Sequence, residues 1–401
     1  MLEHITPLEK PVQATLHLPG SKSITNRVLI MADLCSEISQ VSNALHSDDT
    51  QTCREALKQM TTSAVIDCQD AGTVARFLVP VCAAKGGRYV FRGSPRLCER
   101  PMGVLLRSLE QQGASFEWLA NPYCLPFVMT SHGLKGGFIS VNVEDSSQFL
   151  SGLLIAAPLF QQEVILQSSD ALMTLPYVQM TLHLMRAFGI HPVILDASRV
   201  LIMPTRYQAA SITIEPDAST ASYFFAAAAL SGGRVKIMHL TSDSLQGDLK
   251  FLTCLEAMGC RIQSKSDSIE VVGPKTLQAL GEVNMKGFSD TFMTLAVIAP
   301  FLPTPTTLYG LSHTRLQESD RLEAMAEGLT RVGIKTHTTQ DSLTIFPGNP
   351  VGALIRSHQD HRIAMSFAML GLRIPGMIID DASCVSKTCP SFFDRVSSLN
   401  N

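Results

Sequence analysis

Three observations predict an α/β (α+β) fold of two domains built from repeated units. The chain has 401 residues, more than one core usually serves and enough for two domains of ordinary size. Six helix-like stretches rich in Ala, Leu, Met and Phe recur along it, each preceded by small or charged residues. A second, amphipathic kind of helix stands beside them, closing at glycine and followed by strand-like runs.

The first kind covers 22–34, 71–84, 146–157, 218–230, 289–301 and 360–372. From the second onward these recur every 71–75 residues, and the first gap is nearer 50. They are apolar nearly all round, which is the signature of a buried helix. In the second kind, Leu109, Met185, Leu255 and Leu329 each stand four residues before Gly113, Gly189, Gly259 and Gly333. An apolar residue one turn before a glycine predicts a helix ended by a C-terminal glycine cap. Strand-like runs such as 189–195 follow. The unit is therefore strands with one buried and one exposed helix, and a break near 210–216 divides six units three and three.

Composition excludes several classes. Apolar residues make up 45% and charged residues 17%, a globular profile. The longest apolar runs, such as 149–160, fall short of the roughly 18–20 residues that span a bilayer. The opening Met1-Leu2-Glu3-His4-Ile5 lacks the basic and apolar regions of a signal peptide, so a soluble, cytoplasmic protein without membrane association is expected. Ten cysteines form no Cys-x-x-Cys pair and read as buried reduced thiols, with no metal site. A net charge of −3 argues against a broad basic surface for nucleic acid, yet leaves room for a small anionic substrate held by a few clustered cations.

Polar residues with useful chemistry lie at the N-terminal ends of the buried helices. Lys22, Ser23 and Arg27 open the first, Gly72 and Thr73 the second, and Ser146, Ser147 and Gln148 the third; Asp290 opens the fifth and His361-Arg362 the sixth. Helix N-termini present unpaired N–H groups and partial positive charge, worth roughly 0.3–1 kcal/mol each when exposed. Fixed Lys and Arg charges must therefore supply the larger part of any anion site. Singly, each feature has a plainer reading: Ser146-Ser147 or Asp290 as an N-cap, Gly20-Ser21-Lys22-Ser23 as a turn with a solvated lysine, Arg362 as a structural ion-pair partner. Recurrence at matching places favours a common anion site.

The motifs together resemble those of the 5-enolpyruvylshikimate-3-phosphate synthases. Leu18-Pro19-Gly20-Ser21-Lys22-Ser23-Ile24-Thr25-Asn26-Arg27 is similar to the opening signature of that family. The likeness continues through Asp70-Ala71-Gly72-Thr73, Glu99-Arg100-Pro101, Ser146-Ser147-Gln148-Phe149-Leu150, Pro176-Tyr177 and 217–224. It then runs through Ser289-Asp290, Glu318-Ser319-Asp320-Arg321-Leu322, Asp360-His361-Arg362 and Lys387-Thr388, nearly the whole chain. It implies the two-domain enolpyruvyl transferase fold, each domain three βαβαββ units. One domain is 18–213, on the shikimate 3-phosphate side. The other is discontinuous, 1–17 with 214–401, and carries the catalytic Asp.

The resemblance also implies an activity: a transferase that moves the enolpyruvyl group of phosphoenolpyruvate to the 5-hydroxyl of shikimate 3-phosphate, on the path to chorismate and the aromatic amino acids. No cofactor is implied, the partners are the two small-molecule substrates, and a monomer is expected. Lys22, Ser23, Arg27, Ser146, Ser147, Gln148 and Tyr177 would hold shikimate 3-phosphate, with Thr174 where the family often has serine. Phosphoenolpyruvate would fall to Lys22, Gly72, Arg100, Arg321, Arg362 and Lys387, since guanidinium groups bind carboxylate and phosphate bidentately. Asp290 is implied as base for the 5-hydroxyl, Glu318 as the group exchanging a proton at C3, Lys22 as stabiliser of developing charge and Lys387 as aid to the departing phosphate.

Three departures stand out. Asp70 replaces a usual Asn, Gln317 replaces a lysine that commonly contacts shikimate 3-phosphate, and His313 replaces Asn. Losing one charge-assisted hydrogen bond costs about 1.5–3 kcal/mol. Two other readings are weighed. A degenerate, non-catalytic binder of phosphorylated ligands is motivated by Gln317 and Asp70. The sister enzyme acting on a UDP-sugar carries a reactive cysteine five residues before the Arg of its Arg-Pro pair, where this chain has Pro95; here Cys98 stands two before Arg100, and Ser23 replaces the sister's Asn.

Overall fold

The buried helices form where the apolar periodicity places them, and each joins two parallel strands or leads into one. The computed structural model describes residues 2–61, 63–142, 146–172 and 175–400. The chain divides into two units, Met1–Gly20 with Glu215–Asn401, and Ser21–Ile214. The resemblance puts the crossings three residues and one residue earlier, at 17/18 and 213/214. Leu18 belongs to the core of the first unit, Pro19 O accepts from Asp217 N at 3.0 Å and Gly20 bridges Pro216, so 18–20 stay with it.

In the unit Ser21–Ile214, strands Ser63–Asp67 and Gly87–Arg92 run parallel on either side of helix Gly72–Lys85 in the chain. An antiparallel hairpin, Ser115–Trp118 and Phe127–Ser131, completes that sheet. The pattern repeats with Gly137–Val141 and Val164–Ser168 around helix Ser147–Ala156, closed by Val193–Ile194 and Arg199–Ile202. Helix Lys22–Asp33 leads into Gln40–Ser42, whose parallel partner is the far-off Ser211–Thr213. Two of these helices touch backbone to backbone: a Cβ added at Gly152 would lie 2.3 Å from Arg76 O, so only glycine fits.

The unit Met1–Gly20 with Glu215–Asn401 repeats the scheme. Gln13–Leu16 pairs in parallel with Arg234–Met238, which follows helix Ala218–Ser231, and hairpin Arg261–Lys265 with Ser268–Val272 closes the sheet. Glu282–Asn284 and Thr306–Tyr309 flank helix Phe292–Ile298 and take hairpin Thr336–Thr338 with Ser342–Ile345. Leu354–Ile355 and Ile378–Ile379 flank helix His361–Gly371, with Glu3–His4 at the edge. Four units are therefore complete βαβαββ. Among the described residues the remaining unit on each side has its parallel pair and helices without the closing hairpin.

The glycine caps form as the spacing predicts. Gly113, Gly189, Gly259 and Gly333 have φ of 107°, 77°, 91° and 83°. The residue after each donates back to the apolar residue named above: Ala114 N to Leu109 O, Ile190 N to Met185 O, Cys260 N to Leu255 O and Ile334 N to Leu329 O, at 2.9–3.0 Å. This is the six-to-one bond of a Schellman closure, and it turns each exposed helix into the following strand. All ten cysteines are free thiols, six of them buried, and burial pushes Cys82 up to about 12. No helix among the described residues is long and apolar enough to cross a membrane.

Candidate active site

In the unit Ser21–Ile214 the predicted residues gather at four helix entrances. Lys22 is the first residue of its helix, and its Nζ lies 3.2 Å from the Asp49 carboxylate. Arg27, one turn on, is 2% exposed. Its Nε donates to Thr181 Oγ1 at 2.8 Å and its Nη1 to Ser23 O at 2.9 Å. Its Nη2 donates to Ser151 Oγ at 3.1 Å and Tyr177 O at 3.4 Å. The guanidinium sits over the Phe77 ring at 4.8 Å and the Tyr177 ring at 5.8 Å. Burial lowers Arg27 to about 10, which still leaves it charged at neutral pH. Arg27 thus ties Ser23 to the entrance of helix Pro176–Ala187, where Tyr177 stands.

Ser146 caps helix Ser147–Ala156 by accepting from Gln148 N at 3.2 Å, so its plainer reading holds whatever else it does. Gln148 Oε1 accepts from Arg76 Nη1 at 2.9 Å, and its Nε2 reaches Thr73 Oγ1 at 3.4 Å. Gly72 opens the neighbouring helix between two cations: a Cβ there would lie 2.8 Å from Nη1 of both Arg100 and Arg76. Thr174 lies outside the described residues. In a Gly72→Ala variant the methyl group meets only the movable ends of two side chains, so the fold survives while the guanidiniums shift. On the site that the family resemblance implies, the phosphoenolpyruvate KM is expected to rise about 10–100-fold, the worth of one charge-assisted bond. The melting temperature stays within about 2 °C. Steady-state kinetics beside thermal melts check this.

In the other unit, Asp290 does not cap its helix. Its carboxylate lies between two guanidiniums, Oδ1 3.2 Å from Arg321 Nη1 and Oδ2 2.8 Å from Arg362 Nη2. Arg321, also 2% exposed, is held further by Glu318 at 2.9 Å and by Asp360 at 2.8 Å. Burial works against the charge of Arg321, but Asp360, then Glu318 and Asp290, raise it above the ordinary arginine value. Gln317 Oε1 accepts from the same Arg321 Nη1. Helix Arg321–Arg331 starts where Asp320 accepts from Glu323 N at 3.1 Å, which fixes the direction in which Arg321 leaves the backbone. Asp360 plays two parts: Oδ1 caps the next helix by accepting from Arg362 N at 3.0 Å, and the same carboxylate grips Arg321. Lys387 ends the short 3-10 segment Ala382–Lys387 and is buried.

Four residues of the site escaped the sequence reading. Asp49 could have been noticed, since Ser47-Asp48-Asp49 reads as a cap with an acidic first turn. Arg76 stands one turn into the Gly72 helix, where a cation on an apolar helix is itself a signal. Asp360 was seen in its motif but given no partner. Asp248 had no signal; it is buried, accepts from Ser219 Oγ at 3.1 Å, and is pushed up to about 7 by burial first and by the Asp290 charge second.

Comparison with known proteins decides the family. The profile of EPSP synthase (3-phosphoshikimate 1-carboxyvinyltransferase) matches residues 7–64 and 59–396. The chain belongs to the EPSP synthase family. A 3-phosphoshikimate 1-carboxyvinyltransferase of Nostoc punctiforme is 40% identical over 415 residues, covering 98% of this chain and 97% of that protein. A 3-phosphoshikimate 1-carboxyvinyltransferase 2 of Halalkalibacterium halodurans is 37% identical over 98% of this chain and 93% of its own. The solved EPSP synthase of Acinetobacter baumannii superposes with a TM-score of 0.82 at 23% identity, over 99% of this chain and 98% of that one, and shares the fold.

Within this family the departures acquire surroundings. Asp70 is exposed and accepts from the Ser94 hydroxyl, which caps helix Pro95–Glu99. Cys98 points at Gly93 O at 3.5 Å and burial raises its thiol, so it lacks the thiolate a reactive cysteine needs.

Proposed function

We propose that this chain joins phosphoenolpyruvate to the 5-hydroxyl of shikimate 3-phosphate and releases inorganic phosphate. The observation that carries the reading is the Asp290 carboxylate set between Arg321 and Arg362, with Glu318 on the same Arg321. Two carboxylates on two anion-binding guanidiniums offer a base, a proton carrier and a counter-charge within one cluster.

In this reading Asp290 takes the proton of the 5-hydroxyl as its oxygen bonds to C2 of phosphoenolpyruvate, and Glu318 delivers a proton to C3. Glu318 then takes a C3 proton back, the double bond re-forms, and the C2–O bond to phosphate breaks. Arg321, Arg362, Arg100 and Lys387 bind carboxylate and phosphate, and Lys387 follows the departing phosphate. Lys22, oriented by Asp49, balances the charge that develops on addition. Ser23, Arg27, Ser146, Ser147, Gln148, Thr174 and Tyr177 hold shikimate 3-phosphate, and Gln317 stands beside Arg321 among the binding residues. The substrate-bearing domains would be 18–213 and 1–17 with 214–401. The protein acts as a monomer in the cytoplasm.

The test mixes the protein with both substrates and follows inorganic phosphate and the enol ether product. Release that requires both substrates, and falls when glyphosate at millimolar concentration competes with phosphoenolpyruvate, supports the reading. Well-folded protein that binds shikimate 3-phosphate but releases no phosphate would establish the degenerate binder instead.

A further inference from the structure

Arg27 and Arg321 are buried to the same extent, 2% exposed each, and are held in different ways. Arg321 meets the carboxylates of Asp290, Glu318 and Asp360. Among the described residues Arg27 meets no carboxylate: its hydrogen-bond partners are two hydroxyls and two backbone carbonyls, and the Phe77 ring faces it at 4.8 Å. A guanidinium taken out of water is costly unless something answers its charge, and the usual answer is a buried ion pair. Burial accordingly lowers Arg27, and the group acting against that is the Tyr177 phenol.

The two hydroxyls come from different helices. Thr181 lies on Pro176–Ala187 and Ser151 on Ser147–Ala156, and neither exposes any surface. Thr181 Oγ1 accepts from Arg27 Nε at 2.8 Å while donating to Tyr177 O at 2.8 Å. Ser151 Oγ accepts from Arg27 Nη2 at 3.1 Å while donating to Tyr177 O at 3.5 Å. A hydroxyl has one proton, so committing it to the carbonyl leaves only lone pairs facing the guanidinium. Nε thus gives its one N–H to Thr181, Nη2 gives its two to Ser151 and Tyr177 O, and Nη1 gives one to Ser23 O. The second N–H of Nη1 is not used among the described residues, and it belongs to the nitrogen that reaches the Lys22–Ser23 helix entrance.

We propose that Thr181, together with Ser151, is a positioning residue for shikimate 3-phosphate, fixing Arg27 with neutral acceptors so that its charge is left for the bound anion. This rests on the function proposed above, in which Arg27 and Tyr177 both hold that substrate. Every group it uses lies in the unit Ser21–Ile214. A carboxylate in place of Thr181 would hold the guanidinium as firmly, but it would cancel the charge that an anion needs. A hydroxyl orients the guanidinium without cancelling it, and the carbonyl it shares ties down the first turn of the Tyr177 helix at the same time. Thr181 touches no substrate and acts through Arg27. Its loss therefore falls on shikimate 3-phosphate binding and not on the chemical step.

Thr181→Val keeps the shape and removes the acceptor. Titration calorimetry and steady-state kinetics should show Kd and KM for shikimate 3-phosphate raised about 10–100-fold, with kcat and the phosphoenolpyruvate KM within about twofold of native. Thr181→Ser, which restores the hydroxyl, should return both constants to within about threefold of the native chain. In an Arg27→Gln background, Thr181→Val should change kcat/KM for shikimate 3-phosphate by less than about twofold, because the group it positions is gone. A role in folding alone would lower the melting temperature in both backgrounds and leave the native Kd in place. Should Thr181→Val fail to fold, Ser151→Ala carries the test by the same readouts. Native affinity in the folded variant, a loss confined to kcat, or an equal loss in both backgrounds overturns the inference and leaves the enzyme assignment intact. Absence of shikimate 3-phosphate binding by the native chain overturns the assignment and the inference together.

Discussion

Replacing Asp290 by asparagine lowers the rate of phosphate release by about 10²–10⁴-fold, the usual worth of a positioned general base. That equals about 2.7–5.5 kcal/mol of activation free energy. Asparagine keeps the shape and can still accept from one guanidinium, so folding is retained. The variant also removes a competitor. In the native chain the Asp290 carboxylate engages Arg321 and Arg362, at 3.2 and 2.8 Å, which are the guanidiniums proposed to receive phosphoenolpyruvate. The dissociation constant for phosphoenolpyruvate should therefore stay level or tighten while kcat collapses. A loss confined to KM would assign Asp290 to binding and remove it as the base.

The largest effect on stability is expected at Asp360. Its side chain is fully buried, grips Arg321 through both carboxylate oxygens at 2.8 and 3.3 Å, and accepts from Ser319 Oγ at 3.0 Å. It also caps helix His361–Gly371. In Asp360→Asn the cap survives, because asparagine is an equally good N-cap, so the variant isolates the charge. Removing one partner of a buried ion pair costs about 3–5 kcal/mol. Arg321 keeps Asp290 and Glu318, which puts the loss near about 3 kcal/mol. Thermal melts should show the unit destabilised by about 6–12 °C. Activity should fall as well, because Arg321 loses its anchor. A shift under about 2 °C would mean that Glu318 and Asp290 alone hold Arg321.

Much of the architecture was legible because its causes are local. An apolar periodicity that goes all the way round a helix can only be buried, and the six such stretches lie within a few residues of the observed helices. A leucine or methionine one turn before glycine marks a cap whatever the tertiary context, and all four such pairs form it. The cations and hydroxyls at the helix entrances were visible for the same reason. A helix N-terminus is set by a handful of neighbouring residues, and a lysine or aspartate there departs from the apolar pattern.

The electrostatic wiring was not legible, because it joins residues that only folding brings together. Arg362 meets Asp290 across 72 residues and Arg321 meets Asp360 across 39. Nothing local marks Asp248 as a buried carboxyl beside Asp290, or Asp49 as the partner of Lys22. The incomplete unit on each side was hidden too, since a missing hairpin leaves no composition signal. Thr181 shows the limit most plainly. As a residue type it could be surface, core or cap, and its meaning depends on the buried guanidinium that folding sets against it. The chain by itself therefore determined where helices start, stop and are buried, and which cations could serve a site, because propensity and hydrophobic period act over one or two turns. Tertiary structure alone decided which carboxylate faces which guanidinium, because Coulomb energy in a low-dielectric interior depends on distance in space and not on distance along the chain.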